Sequence, residues 1–428
     1  MSALPLASLR SLPGPENIQR VTLENGITLL TRSNFESPSV VLSGYLPAGS
    51  LYDPLEKLGL AHFTALALMR GTQRYTFQQM FDTLESSGAS LGFGASVHNT
   101  SFGARALAED LPMLAELLSE ALRYPVFPPE QVERLRGQIL TGLAIRNQDT
   151  SDRCEMAFEE TIFPDHPYGR PSDGHPETIR GITRDNLAEF HRRTFGPRGC
   201  TIVIVGAVEP DQAVECVRRA LGDWRNPDQA PAPLLPPVRP MFGLLRQEIP
   251  LPGKVQTDLI MGCLGPKRSS PDYLAASLGN NILGQFGMMG RIGDVVRERA
   301  GLAYYASAGL NAWIEAGSWD ITAGVNPNNL QRAIDLIFQE VRRFITEPVS
   351  SEELRDSQSN YIGRLPLSLE SNAGVAHALL NLERFQLGLD YYQRYPELVM
   401  AVTPEQILET ARRYLTPDHF AVVSAGPE

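Results

Sequence analysis

Cysteine is scarce in this sequence. Cys154, Cys200, Cys216 and Cys263 are its four, they lie far apart, and none belongs to a C-x-x-C pair. That spacing excludes a cysteine zinc site or a redox dithiol and leaves four reduced core residues. Long apolar runs are lacking too: stretches such as Thr201–Val208 are strand-length, far short of the roughly 20 residues that a membrane span needs. Positive charge is in deficit, 38 Lys+Arg against 49 Asp+Glu, a net charge of −11 with the basic residues scattered. Nucleic acid is therefore not expected as a partner. The N-terminal stretch Met1–Asn17 has neither a basic start nor a sustained apolar core, so no signal peptide is expected and the location is read as cytoplasmic.

What is present describes a folded chain. Hydrophobic residues make up 43% and charged residues 20% of the 428, the balance of a packed globular protein, and the length exceeds what one ordinary core fills. The organisation shows in an internal repeat. Shifted by 220 residues, Pro176–Gly206 aligns without a gap on Pro396–Gly426, with nine of 31 positions identical, among them Thr183/Thr403, Glu189/Glu409, Arg192-Arg193/Arg412-Arg413 and Pro197/Pro417. In each copy a Thr precedes an acidic residue, then an amphipathic stretch, a Pro and a β-branched run. That order predicts an N-cap, a helix, a turn and a strand. A repeat of such long period means a duplicated domain, not a solenoid.

Between the copies, Asn226–Pro240 holds six prolines in fifteen residues and behaves as an extended spacer. The expected division is a domain over 1–225, a Pro-rich linker over 226–244 and a second domain over 245–428. β-type runs open each half, at Arg20–Thr31 with a hairpin-type Asn25-Gly26, at Ser39–Leu46, and at Gln256–Met261. Helical patterns follow at Lys57–Met69, Thr76–Ser87, Leu111–Arg123 and Pro129–Asn147, then at Pro271–Leu283, Pro327–Thr346 and Ser351–Arg364. The fold class expected is α+β: two tandem homologous domains, each a mostly antiparallel sheet covered on one side by helices.

One titratable side chain interrupts the apolar stretch Leu60–Met69 (LAHFTALALM), His62. A zinc helix of the H-x-x-E-H kind needs a second imidazole one turn on and a Glu between to activate water. The stretch Gly59–Thr72, preceded by Ala48–Asp53, resembles the active-site region of the pitrilysin-like, mitochondrial-processing-peptidase-like zinc peptidases, which reads roughly G-x-A-H-F-L-E-H-M-x-F-K-G-T. On that resemblance His62 matches the first metal histidine, Ala65 stands where the base Glu would be, and Leu66 where the second histidine would be. The family's third ligand, a Glu, falls near Thr141-Gly142-Leu143, where there is no carboxylate; His166–Pro171 (HPYGRP) again resembles a family segment and fixes the register. Three protein ligands and an open position are what a catalytic zinc requires. The resemblance thus implies a degenerate metal motif, no metal in this chain, and a His62 retained as a core remnant.

In the second half, Gly290–Tyr305 (GRIGDVVRERAGLAYY) resembles the family's other signature, in which an Arg and a Tyr seven residues later hold the substrate backbone and support the oxyanion. Arg297 and Tyr304 stand at that spacing, and a guanidinium fork and a phenol suit those tasks. Gly284, Gly287 and Gly290 break the helical pattern before it and imply a flexible loop or a close backbone approach; the segment resembles the substrate-sensing glycine-rich loop of the non-catalytic processing-peptidase subunit. Taken together, the resemblance implies a chain inactive alone, paired as a heterodimer with a homologous H-x-x-E-H subunit that carries the zinc, and acting on unfolded peptides. The alternatives are a structural core-type subunit of a larger complex and a stand-alone peptide-binding protein.

Overall fold

The hairpin signal at Asn25-Gly26 marks where the first sheet begins. In the computed structural model, which describes residues 12–427, Gly26 takes φ +94°, a left-handed turn conformation that costs glycine little. It joins β1 (Gln19–Thr22) to β2 (Thr28–Ser33) as an antiparallel pair. With β3 (Ser39–Leu46), β4 (Ser90–Ala95), β5 (Thr100–Leu107) and β6 (Thr201–Gly206) they form a six-stranded sheet in the order β1-β2-β6-β3-β5-β4. All its pairings are antiparallel except β2 with β6.

The second sheet repeats the plan. It contains β7 (Leu245–Pro250), β8 (Thr257–Gly265), β9 (Ala303–Ala312), β10 (Gly317–Val325) and β11 (Ala421–Gly426), in the order β7-β11-β8-β10-β9. Its one parallel pairing is β7 with β11, so β11 stands between a parallel and an antiparallel neighbour as β6 does. The sequence repeat therefore corresponds to a structural one. Thr183 caps the Arg184–Thr194 helix in a reciprocal box with Asn186, and Thr403 caps the Pro404–Tyr414 helix in the same way with Gln406. Each box satisfies amide N–H groups of the first turn that have no partner within the helix.

The expected helices occur at Phe77–Ser86, Leu111–Arg123, Pro129–Arg146, Tyr273–Gly284, Leu330–Thr346 and Ser351–Ser368. The Lys57–Met69 pattern is broken. Gly59 at φ +91° ends the turn before it, the α-helix covers only Leu60–Ala67, and a 3-10 turn over Leu68–Arg70 closes it. The strands β4, β5, β9 and β10 were not expected, because glycines at 92, 94, 103, 309, 317 and 324 dilute their apolar alternation.

Contacts divide the chain into two compact units. The first takes the chain up to Leu143, then Pro171–Leu235 and Pro366–Gln393; the second takes Ala144–Arg170, Pro236–Leu365 and the chain from Arg394 on. In the first unit Ile202 and Ile204 join the main core, while Val203 and Val205, equally buried, point to the other face of β6. The Asn372–Arg384 helix packs there, on β6 and β3. In the second unit the Thr150–Ile162 helix packs on β11 and β8 in the same manner. Cover on one side only, as expected from sequence, is thus corrected: the central strands are buried on both faces, which is why β6 reads as an unbroken apolar run. Among the described residues no helix is long and apolar enough to cross a membrane. Most of the N-terminal stretch examined for a leader lies outside the described residues.

Candidate functional site

The helix that carries His62 is capped by a buried carboxylate. Asp53 Oδ2 accepts the Gly59 N–H and Oδ1 the Ala61 N–H, each at 2.9 Å. Burial pushes this carboxyl up to about 7, while the helix amides pull the other way. Gly59 is required twice over, by its left-handed φ and because a Cβ there would lie 2.7 Å from Asp173 O. The residue before Gly59 is tied down by Thr178 Oγ1, which donates to Leu58 O at 2.7 Å.

Along this helix Leu60, Ala61, Phe63, Thr64, Ala65 and Ala67 are buried, while His62 and Leu66 are partly open. One turn separates them, so they share a face. Ala65 points into the core. On the Pro129–Arg146 helix, Leu143 is buried, Thr141 donates back to Gly137 O at 2.9 Å, and a Cβ on Gly142 would meet nothing within 4 Å. The first helix and its closing turn are joined to the second by Arg70 Nη2, which donates to Gln138 Oε1 at 2.6 Å, and by the Arg136 guanidinium lying over the Phe63 ring, 5.2 Å from its centroid. A zinc ion does not fit here: the positions a turn apart offer one imidazole and one isobutyl group, and the facing helix offers no carboxylate at 141–143. Among the described residues no group of three or more His, Cys, Asp or Glu is placed to hold a metal ion.

In the second unit the three glycines occupy different situations. A Cβ on Gly284 would lie 2.1 Å from the Ala308 amide nitrogen, so the helix end rests on the backbone of β9. A Cβ on Gly290, at φ +62°, would lie 2.6 Å from the Gly284 amide nitrogen, and Gly287, at φ +61°, borders open space. Residues 287–290 are non-helical. This segment and the preceding helix cover the outer edge of β9: the Ala306 N–H donates to Met289 Sδ at 3.4 Å, and Asn280 and Gln285 both donate to Ala308 O at 3.3 Å. An edge strand so covered offers no bare ladder at those residues. Phe286 and Met288 of the same segment are exposed.

Arg297 lies in a six-residue π-helical turn, Asp294–Arg299, with its side chain about one-third exposed and Nη1 3.5 Å from Glu298 Oε1. Gly301, at φ +63°, reverses the chain into β9, where Tyr304 is 83% exposed. Both side chains are thus accessible on the second unit. Between the Thr150–Ile162 helix and strands β8, β10 and β9 is a polar cavity of about 130 Å³ that sequence reasoning missed, lined by Glu155, Glu159, Asp258, Tyr305 and Asp320 among others. Burial raises Glu159 and Asp320 to about 7 each, and the charge of Glu155 adds to both. These residues come from segments far apart in sequence, and no local spacing signals them.

The family model described as Insulinase (Peptidase family M16) matches residues 28–174, and that described as Peptidase M16 inactive domain matches residues 181–361. The chain belongs to peptidase family M16. Among its relatives, an uncharacterized zinc protease of Mycobacterium leprae is 25% identical over 412 residues, covering 95% of this chain and 91% of the relative. The mitochondrial-processing peptidase subunit beta of Saccharomyces cerevisiae is 26% identical over 375 residues, covering 82% and 79%. The crystal structure of a peptidase M16 inactive domain from Pseudomonas fluorescens superposes with a TM-score of 0.89 at 25% identity, covering 96% of this M16 chain and 98% of that one. A protease from Helicobacter pylori has the same fold, with a TM-score of 0.89 at 17% identity over 97% of this chain and 100% of that one.

Proposed function

We propose that this M16 chain is the non-metal-binding subunit of a heterodimeric zinc metallopeptidase. One observation carries the reading: the metal helix keeps its scaffold but has lost its donors. Asp53, Gly59 and the buried Phe63 face hold the helix, while Ala65 and Leu66 stand where a base and a ligand would be needed. Arg297 and Tyr304, by contrast, are retained and accessible.

In this role the partner chain supplies zinc and the water-activating Glu. Arg297 grips a backbone carbonyl or carboxylate of the peptide through its fork of donors, and the Tyr304 hydroxyl donates to the oxyanion that forms at the scissile carbonyl. Unfolded peptides bind as an added strand, with backbone hydrogen bonds giving broad specificity. The yeast relative is by name one subunit of a processing peptidase, which supports a two-chain arrangement.

The test is zinc content and peptide hydrolysis for the chain purified alone, and again after mixing with an H-x-x-E-H relative from the same genome. The expected result is no retained zinc and no turnover alone, with turnover on mixing. Stoichiometric zinc with turnover by the lone chain would overturn the reading.

A further inference from the structure

We propose that Asp258 and Tyr305 are positioning residues that set the direction of Tyr304, an inference that rests on the substrate-facing role given to Tyr304 above. β9 pairs with β10 without interruption from Ala312↔Gly317 to Tyr305↔Gly324, and the next pair is Ala303↔Val325. Tyr304 is the extra residue of a bulge on the edge strand. By the two-residue period of a strand it would point the same way as Ala306 and Ala308, both buried in the core of the second unit. The bulge turns it outward instead, re-aiming one side chain without disturbing the rest of the ladder.

Two registers compete at this point. In one the extra residue is Tyr304 and Tyr305 stands opposite Gly324; in the other Tyr304 would take the place opposite Gly324 and Tyr305 would become the extra residue. The side chain of Tyr305 selects the first. The Tyr305 ring lies across Gly324, where a Cβ would come within 2.5 Å of Cε1, so only glycine admits it. Its hydroxyl donates to Asp258 Oδ1 at 2.8 Å. Asp258 is buried and fixed from three other sides: Gln256 Nε2 donates to Oδ1 at 2.9 Å, the Thr150 hydroxyl donates to Oδ2, and Cys154 Sγ donates to its carbonyl at 3.0 Å. Slipping Tyr305 by one position would pull its hydroxyl from a buried acceptor and leave that acceptor short of a donor. The Asp258–Tyr305 bond therefore holds the bulge, and the bulge holds Tyr304 outward.

The experiment places 3-fluorotyrosine at position 304 of the full chain and records its fluorine resonance and solvent isotope shift in the parent, Tyr305→Phe, Asp258→Ala and Ser307→Ala. Ser307 lies on the same strand, bonded to Thr322 at 3.2 Å and outside this chain of contacts. A displaced or split resonance with reduced solvent exposure is expected in Tyr305→Phe and Asp258→Ala, and the parent signal in Ser307→Ala. An unchanged signal in Tyr305→Phe, which loses one hydroxyl and keeps the ring, overturns the proposal even if Asp258→Ala does not fold. In the mixed two-chain preparation Tyr305→Phe should lower kcat by roughly 10- to 100-fold with KM within about twofold of the parent, the mark of a misplaced oxyanion donor. If the parent pair shows no turnover, the two-chain reading fails, and the fluorine signal still decides the positioning.

Discussion

Arg291 and Glu353 form a two-pronged ion pair where the glycine-containing segment ends: Nε and Nη2 donate to the two carboxylate oxygens at 2.7 and 2.8 Å. The guanidinium also lies 3.6 Å from the buried Glu340 and 5.5 Å over the Phe344 ring. Burial acts to raise the Glu353 carboxyl, but the hydrogen bonds from Arg291 and the Ser350 amide outweigh it and hold the group at about 2. Its folded value is depressed, so this stabilisation is present above the unfolded carboxyl value and is lost as pH falls toward 2. Glu353→Ala leaves a largely buried cation with a weaker partner and should cost about 2–4 kcal/mol. Urea unfolding checks this, and a loss within the error of the parent would mean that the pair adds nothing to stability.

Asp320 gives the opposite dependence. Its folded value, raised to about 7 chiefly by burial, exceeds the unfolded one, so the contribution is full at low pH and is lost as pH rises through 7. Asp320→Asn keeps the shape, with Ser318 and Asn311 beside it. Between pH 5 and pH 8 the parent should lose about 2 kcal/mol relative to this variant. Parallel pH profiles for the two would show that Asp320 stays ionised in the fold.

His191 is partly buried, with Nε2 2.9 Å from Leu122 O and its ring 4.7 Å from that of Phe195. Burial lowers it to about 4. A depressed histidine stabilises above its unfolded value and loses that contribution as pH falls toward 4, because only the unfolded chain takes up the proton freely. Relative to His191→Gln, the parent should lose about 2 kcal/mol between pH 7 and pH 5. Thermal melts of both proteins at the two pH values measure the difference, and an equal shift in each would assign the acid sensitivity to other groups.

The three glycines of the 284–290 segment should not respond alike to alanine. Gly287→Ala meets open space and should cost only the backbone strain of a positive φ, about 1 kcal/mol. Gly284→Ala drives a methyl into the Ala308 backbone and should cost at least about 3 kcal/mol or displace the segment from β9. Similar losses for both in denaturant titrations would remove the distinction between a turn glycine and a packing glycine.

Much of this was legible in the sequence because the signals are local. The capping boxes at Thr183 and Thr403 each span four residues, and the absence of H-x-x-E-H from Leu60–Met69 reads directly from the residues. The Leu111–Arg123 helix follows from its apolar period. What escaped depends on partners distant in the chain. The amphipathic pattern of the Asn372–Arg384 helix states that one face is buried, not that it lies on β6 and β3. Tyr304 was singled out by its spacing from Arg297, yet its outward aim comes from a bulge and from Asp258, 46 positions earlier in the numbering (304 − 258). A register slip and a buried hydrogen bond leave no periodic trace.

The exchange of helices between the two halves has a consequence for how such a chain can be divided. The Asn372–Arg384 helix belongs to the unit built on the first sheet, and the Thr150–Ile162 helix to the unit built on the second. A cut in the proline-rich segment would give two polypeptides of which each lacks one lid for its own sheet and carries the lid of the other. Neither fragment is a self-sufficient module; each is completed by its counterpart, as in fragment complementation, so the ancestral repeat can no longer be recovered by severing the linker.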